Sequence, residues 1–184
     1  MPRFILITGL PLAGKSTLCK AFAKLGLPTI SVGDLAREEA KANNMTAREI
    51  GEWWRTIFGR HFPTSNAARV LLEAHPQADV LIVEGLREPE AVEATAKLGP
   101  VTVIACLSPL ATRILRLKAR ARPGEKVMDL MDRDEQEIKW GVTHCINLAD
   151  YVLITKQVSE DVQEAAATFY DYVRDSPNDY HRYS

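Results

Sequence analysis

Cysteine is scarce. Cys19, Cys106 and Cys145 are the only thiols in 184 residues. They are odd in number and widely spaced, with no CxxC or metal-ligand pattern to support a disulfide framework or a thiolate metal site. Cys19 lies on a proposed helix and Cys106 in an apolar run, so both read as small buried hydrophobes. The four histidines, His61, His75, His144 and His181, also lack metal-ligand spacing. No apolar stretch approaches the roughly 20 residues that a membrane span needs. The start, Met1-Pro2-Arg3-Phe4, enters a strand without the features of a signal peptide. Charge of one sign is missing too: 23 Lys and Arg face 24 Asp and Glu, a formal net charge of −1. That balance gives no general attraction to nucleic acid, so any basic site must be local. The expectation is a reduced, cytoplasmic setting with neither membrane nor nucleic acid as partner. The oligomeric state is open.

What is present is an alternation. Apolar, β-branched runs at 3–8, 28–32, 79–84, 101–107 and 151–155 are strand candidates, with helical segments between them. With 46% hydrophobic residues and no repeat or low-complexity linker, residues 1–184 suit a single α/β domain with a five-stranded parallel sheet flanked by helices. Thr46-Ala47-Arg48-Glu49 has capping-box spacing. Ser108-Pro109 pairs a good N-cap with proline at the first helical position. Ile50, Trp53, Trp54, Ile57 and Phe58 form one apolar stripe, read as core packing with part of it available to wall a pocket. The interval from about 33 to 76 holds helices enough for a substrate-binding insertion.

The decisive run is Gly9-Leu10-Pro11-Leu12-Ala13-Gly14-Lys15-Ser16-Thr17, which fits G-x-x-x-x-G-K-[ST]. Successive backbone amides in such a loop form a nest for anions, and the helix that follows presents its positive end to phosphate. The strand at 3–8 and the helical spacing of Leu18, Ala21, Phe22 and Leu25 supply the required context. Lys15 is expected to reach the β- and γ-phosphates, and Ser16 to offer its hydroxyl to Mg²⁺. Thr17 is expected at the α-phosphate.

Other residues extend the site. Glu84 follows an apolar strand, near the P-loop mouth, where it is a candidate to hold a magnesium-bound water or to receive a proton. Gly33-Asp34-Leu35-Ala36-Arg37 follows the second strand, and Gly85-Leu86-Arg87 the third. Guanidinium forks suit phosphate, so Arg37 and Arg87 together suggest a second phosphate site. Arg113, Arg116 and Arg120 share a helical face. With Arg122, and with Arg133 beyond it, they read either as a solvated face or as a cover that stabilises charge during phosphoryl transfer.

The P-loop, Gly33-Asp34-Leu35-Ala36-Arg37 and Glu84-Gly85-Leu86-Arg87 together resemble adenylate-kinase-like nucleoside monophosphate kinases. The chain is most similar to a largely archaeal, adenylate-kinase-related group, also through Arg133-Asp134 and Leu148-Ala149-Asp150-Tyr151-Val152. This resemblance implies a P-loop NTPase fold and Mg²⁺-dependent transfer from ATP to a nucleoside monophosphate. It implies that Arg37 and Arg87 grip the acceptor phosphate, with Asp34 beside them. A short lid at about 116–128 would carry Arg120 and Arg122, with Arg133 as helper. The family has Asp where Glu84 stands, and smaller residues at Leu12-Ala13. Dephospho-CoA kinase is similar in its short lid, its Asp after the second strand and its Ala-Asp-Tyr-Val-like strand. A nucleotide switch without transfer is the remaining alternative; Asn147-Leu148-Ala149-Asp150 matches the N-K-x-D guanine motif poorly.

Overall fold

The computed structural model describes residues 1–120, 126–155 and 159–175. Strands β1 (Arg3–Thr8), β2 (Thr29–Ser31), β3 (Val80–Leu86), β4 (Val101–Leu107) and β5 (Tyr151–Ile154) form one sheet in the order β2-β3-β1-β4-β5. Every neighbouring pair is parallel. Parallel strands need crossovers, supplied here by helices on both faces. They are α1 (Lys15–Lys24), α2 (Val32–Asn43), α3 (Ala47–Phe58), α4 (Phe62–Ala74), α5 (Glu90–Ala96), α6 (Leu110–Arg120), α7 (Val127–Trp140), α8 (Val142–Asn147) and α9 (Ser159–Asp175).

The near-continuous apolar strands follow from this double cover. Along β1, Phe4 and Leu6 join Leu81, Val83 and Val103 beneath Ala67, Ala68, Leu71 and Val92. Ile5 and Ile7 point the other way, with Ile82 and Ile104, onto Leu18, Phe22, Val162 and Ala166. Period-2 alternation thus feeds two cores. A third cluster of Ala36, Ala40, Ile50 and Trp54 binds α2 to α3, with Phe62 against it.

Strand order reverses at β1, where the chain moves from its β3 neighbour to β4. Such a reversal leaves a crevice beyond the carboxyl ends of the strands. The crevice lies where β1 enters the P-loop. Strand β3 runs past Glu84 to Leu86 because a register shift pairs Thr8 with Leu86, skipping Gly85. The Thr8 hydroxyl donates to the Leu86 carbonyl at 2.9 Å.

Local signals for helix starts held in part. Thr46 and Glu49 form the full capping box of α3, a device worth roughly 1 kcal/mol. Ser31 caps α2 by accepting from the Asp34 amide at 3.3 Å. Ser108 does not cap α6 through its hydroxyl in the expected way; that hydroxyl donates to the Thr155 carbonyl at 2.9 Å, because β5 ends beside it. The apolar stripe of α3 is split. Ile50 and Trp54 are buried, whereas Trp53, Ile57 and Phe58 are exposed at 43%, 58% and 46%. They flank Ile50 and Trp54 on the same helical stripe, and Phe58 stacks on Phe62.

Candidate active site

The P-loop is shaped by two glycines and held by distant side chains. Gly9 has φ +135°, and a Cβ there would lie 2.2 Å from the Cys106 carbonyl oxygen of β4. Gly14 has φ +101° and sits against the Thr155 side chain, so a Cβ would meet it at 3.0 Å. Between them Leu12 takes a left-handed φ of +62°, which costs a residue with a Cβ roughly 1–2 kcal/mol. Side chains engage each loop carbonyl from Gly9 to Ala13. Lys15 Nζ donates to Gly9 at 2.6 Å and to Leu10 at 3.0 Å. Arg113 donates to Pro11 at 3.2 Å and Arg116 to Leu12 at 2.9 Å. The Thr155 hydroxyl donates to Ala13 at 2.7 Å. With the carbonyls occupied, the unpaired amides of the first helical turn remain for an anion.

This bracing corrects the reading of the basic helix. Arg113 is only 5% exposed. It makes a bidentate pair with Asp134 of α7 at 2.7 and 2.8 Å. Arg116 also donates to Thr155 Oγ1 at 3.1 Å. Both brace the loop, and Arg116 also lines the cleft together with Arg120, one turn further. Of the expected lid at about 116–128, residues 121–125, with Arg122, lie outside the described residues.

The loop opens onto a cleft of about 810 Å³. Pro11, Leu12, Gly14, Lys15, Ser16 and Thr17 line it; Gly9 and Ala13 are not among the lining residues and serve loop shape and packing. Burial lowers the pKa of Lys15, and the net shift is downward although Glu137 and Glu84 pull the other way. Glu84, largely buried on β3, faces the same cleft. Ser16 and Glu84 therefore present a hydroxyl and a carboxylate to one space. Among the described residues there is no group of three or more His, Cys, Asp or Glu that could hold a metal. Magnesium keeps several waters and needs only one or two protein oxygens alongside phosphates, so this sparse pair fits it.

Arg37, Arg87 and Arg133 line the same cleft as the P-loop. Arg87 Nε donates to Glu137 at 2.8 Å, and its Nη1 to the Gly85 carbonyl at 2.9 Å. Burial pushes the Glu137 carboxyl up, but Arg87 and Lys15 outweigh it and hold the group below the usual range. Behind Arg87, Glu88 is fully buried and paired with Arg55 at 2.5 Å. Burial raises the Glu88 carboxyl against the pull of Arg55 and Arg87. Arg55 lies 4.0 Å over the Trp140 ring. Asp34 departs from expectation: it is absent from the lining of both cavities and instead forms an exposed ion pair with Arg37. Ser31 has taken the capping position, which leaves Asp34 in the first turn facing along the helix.

A second cavity, of about 240 Å³, adjoins the first. Gly33, Arg37, Arg87, Arg133 and Glu137 line both. Its own walls include Ala36, Trp54, Pro63 and Trp140, so Trp54 does wall a pocket. Glu137, Asp134 and Thr155 had gone unread as site residues. The helical spacing Leu130, Asp134, Glu137 contained a signal, since it phases two acidic residues onto a buried stripe.

Residues 5–139 match a family model described as an AAA domain. The chain is 33% identical over 160 residues to a UPF0200 protein of Pyrococcus abyssi, covering 82% of this chain and 86% of that protein. This chain belongs to the UPF0200 family. A second member, from Sulfurisphaera tokodaii, is 32% identical over 170 residues, 89% of this chain and 93% of that one. Among solved structures, shikimate kinase from Bacteroides thetaiotaomicron superposes with a TM-score of 0.62 at 21% identity, over 94% of this chain and 98% of that one. Shikimate kinase from Acinetobacter baumannii in complex with shikimate gives 0.57 at 17%, over 97% and 96%. These structures share the fold with this UPF0200 chain: an α/β P-loop kinase-like architecture, as expected from the sequence. No helix among the described residues is long and apolar enough to cross a membrane.

Proposed function

We propose that this protein transfers the γ-phosphoryl group of ATP to a nucleoside monophosphate. One observation carries the reading: the P-loop with Lys15 and a second pair of cations, Arg37 and Arg87, line one cleft. A switch needs only the first set. The smaller cavity behind the arginines, walled by Trp54 and Trp140, then takes the body of the acceptor.

In this mechanism the chain positions reactants and stabilises charge, with no covalent intermediate. Lys15 exchanges its loop carbonyls for the β- and γ-phosphates. Arg37 and Arg87 orient the acceptor phosphate in line. Arg120 and Arg133 stabilise charge on the transferring group. Ser16 and Glu84 would hold magnesium, which would supply positive charge against the charge that develops on the phosphates. Cytoplasmic nucleotide pools would supply both substrates.

The nucleoside monophosphate reading is favoured over a guanine-nucleotide switch by one observation. The Asp150 carboxylate accepts from the Val103 amide at 2.8 Å, so it ties β5 to β4 rather than reading a guanine. The test is an acceptor panel of nucleoside monophosphates and dephospho-CoA, with ATP, Mg²⁺ and product identification. A diphosphate formed only when a monophosphate is added supports the reading, and Lys15→Ala should abolish it in a folded protein. Acceptor-independent hydrolysis alone, or phosphorylation of dephospho-CoA alone, refutes it.

A further inference from the structure

The junction between the two cavities contains an acidic residue where an anion is expected to bind. Glu137 lines both spaces and is bonded to Arg87, the arginine assigned to the acceptor's phosphate. Its side chain is 11% exposed and that of Arg87 17%. A guanidinium fork accepts a carboxylate or a phosphate, but a carboxylate already on its Nε blocks one arm. An entering anion must therefore displace Glu137 or share the arginine with it. In a partly buried site this exchange is governed by charge, because unpaired buried ions are costly. Arg133 stands one turn before Glu137 on α7 and already acts on its carboxyl, so the displaced group has a cation beside it.

We propose that Glu137 is an internal stand-in for the acceptor's phosphate, holding Arg87 while the site is empty and lowering the affinity of any anion that must displace it. The inference rests on the reading of Arg87 as an acceptor-phosphate residue. The charged groups around Glu137 are Arg87 and Glu88 after β3, Lys15 of α1, Arg133 of α7 and Arg55 of α3.

The test uses the full chain with its P-loop saturated by Mg-ADP, and two probes followed by ligand-observed NMR. Phenyl phosphate loses its second proton near pH 6, as phosphomonoesters do; phenyl sulfate stays a monoanion. Both probes must displace the same carboxylate, so its cost is common to both. Glu137→Gln should therefore bind phenyl phosphate and phenyl sulfate each about tenfold more tightly than wild type at pH 7.5. Glu137→Asp, which keeps the charge, should bind both as wild type does. Unchanged or weaker binding of the probes by Glu137→Gln overturns the proposal, as does equal tightening in Glu137→Asp. Failure of Mg-ADP to bind overturns the nucleotide reading and this inference together, whereas bound ADP with unchanged probe affinities in Glu137→Gln overturns only the role of Glu137.

Discussion

Breaking and then removing the Asp134–Arg113 pair should have two separable effects, one on stability and one on nucleotide affinity. Asp134 and Arg113 form a bidentate pair at 2.7 and 2.8 Å, with side chains 12% and 6% exposed. Deleting one member of a buried pair leaves the other charge uncompensated, at about 3–5 kcal/mol. For a domain of this length 1 kcal/mol shifts Tm by about 2–4 °C. Asp134→Ala should therefore melt about 6–20 °C below wild type by calorimetry. The double variant Arg113→Met/Asp134→Leu removes both charges and keeps apolar volume, so most of that loss should return. The double variant should instead show a second defect, because the Pro11 carbonyl has lost its Arg113 donor. A hydrogen bond from a charged group contributes about 1.5–3 kcal/mol, so ADP affinity of the double variant should fall at least tenfold. The reasoning fails if Asp134→Ala melts within about 2 °C of wild type. It also fails if the double variant is as unstable as the single, or if it binds ADP normally.

Gly9→Ala should destabilise the fold by at least about 2 kcal/mol and abolish nucleotide binding, since the added methyl would collide with backbone of β4 rather than a yielding side chain; denaturant melts with ADP titration check both. Burial pushes the thiols up to about 12 for Cys106 and Cys145 and about 11 for Cys19. A disulfide reagent at pH 8 should therefore label the folded chain far more slowly than the unfolded one, and fast labelling of Cys106 in the native state would contradict the packing. Glu137 has a lower pKa folded than unfolded, so the unfolded chain binds more protons and stability falls as pH drops below about 4.5 through the folded value. Glu88 is shifted the other way and costs stability as pH rises above about 4.5. Denaturant midpoints from pH 3 to 7 should show the low-pH slope flatten in Glu137→Gln and the high-pH slope flatten in Glu88→Gln.

What could be read before folding was local. Strand candidates were visible because a doubly covered parallel sheet demands unbroken apolar runs. The P-loop was visible because it needs glycines at fixed offsets. Arg37 and Arg87 were found because loops after strands open at one end of such a sheet. Arg113 and Arg116 were misread because helical spacing shows which residues share a face, but not what that face meets. Their partners, Asp134, Pro11, Leu12 and Thr155, come from other elements, and only the topology brings them near. Asp34 came in with the motif that carries Arg37; its ion pair with Arg37 in the first turns of α2 depends on side-chain directions that the motif does not spell out. Glu137 was passed over because a lone acidic residue in a charged helix is ordinarily solvated; the Leu130 phase that buries it becomes meaningful once α7 has a neighbour.

The grip on the loop carbonyls has a consequence for how the chain comes into being. Residues 9–17 leave the ribosome early, whereas Arg113, Arg116 and Thr155 follow roughly a hundred or more positions later. A nascent chain that has emerged only as far as β3 carries the whole P-loop signature but none of these three struts. Nucleotide therefore cannot chaperone the first half of the protein. Its stabilising effect becomes available only after β5 has closed the sheet, so binding reports completion of the fold.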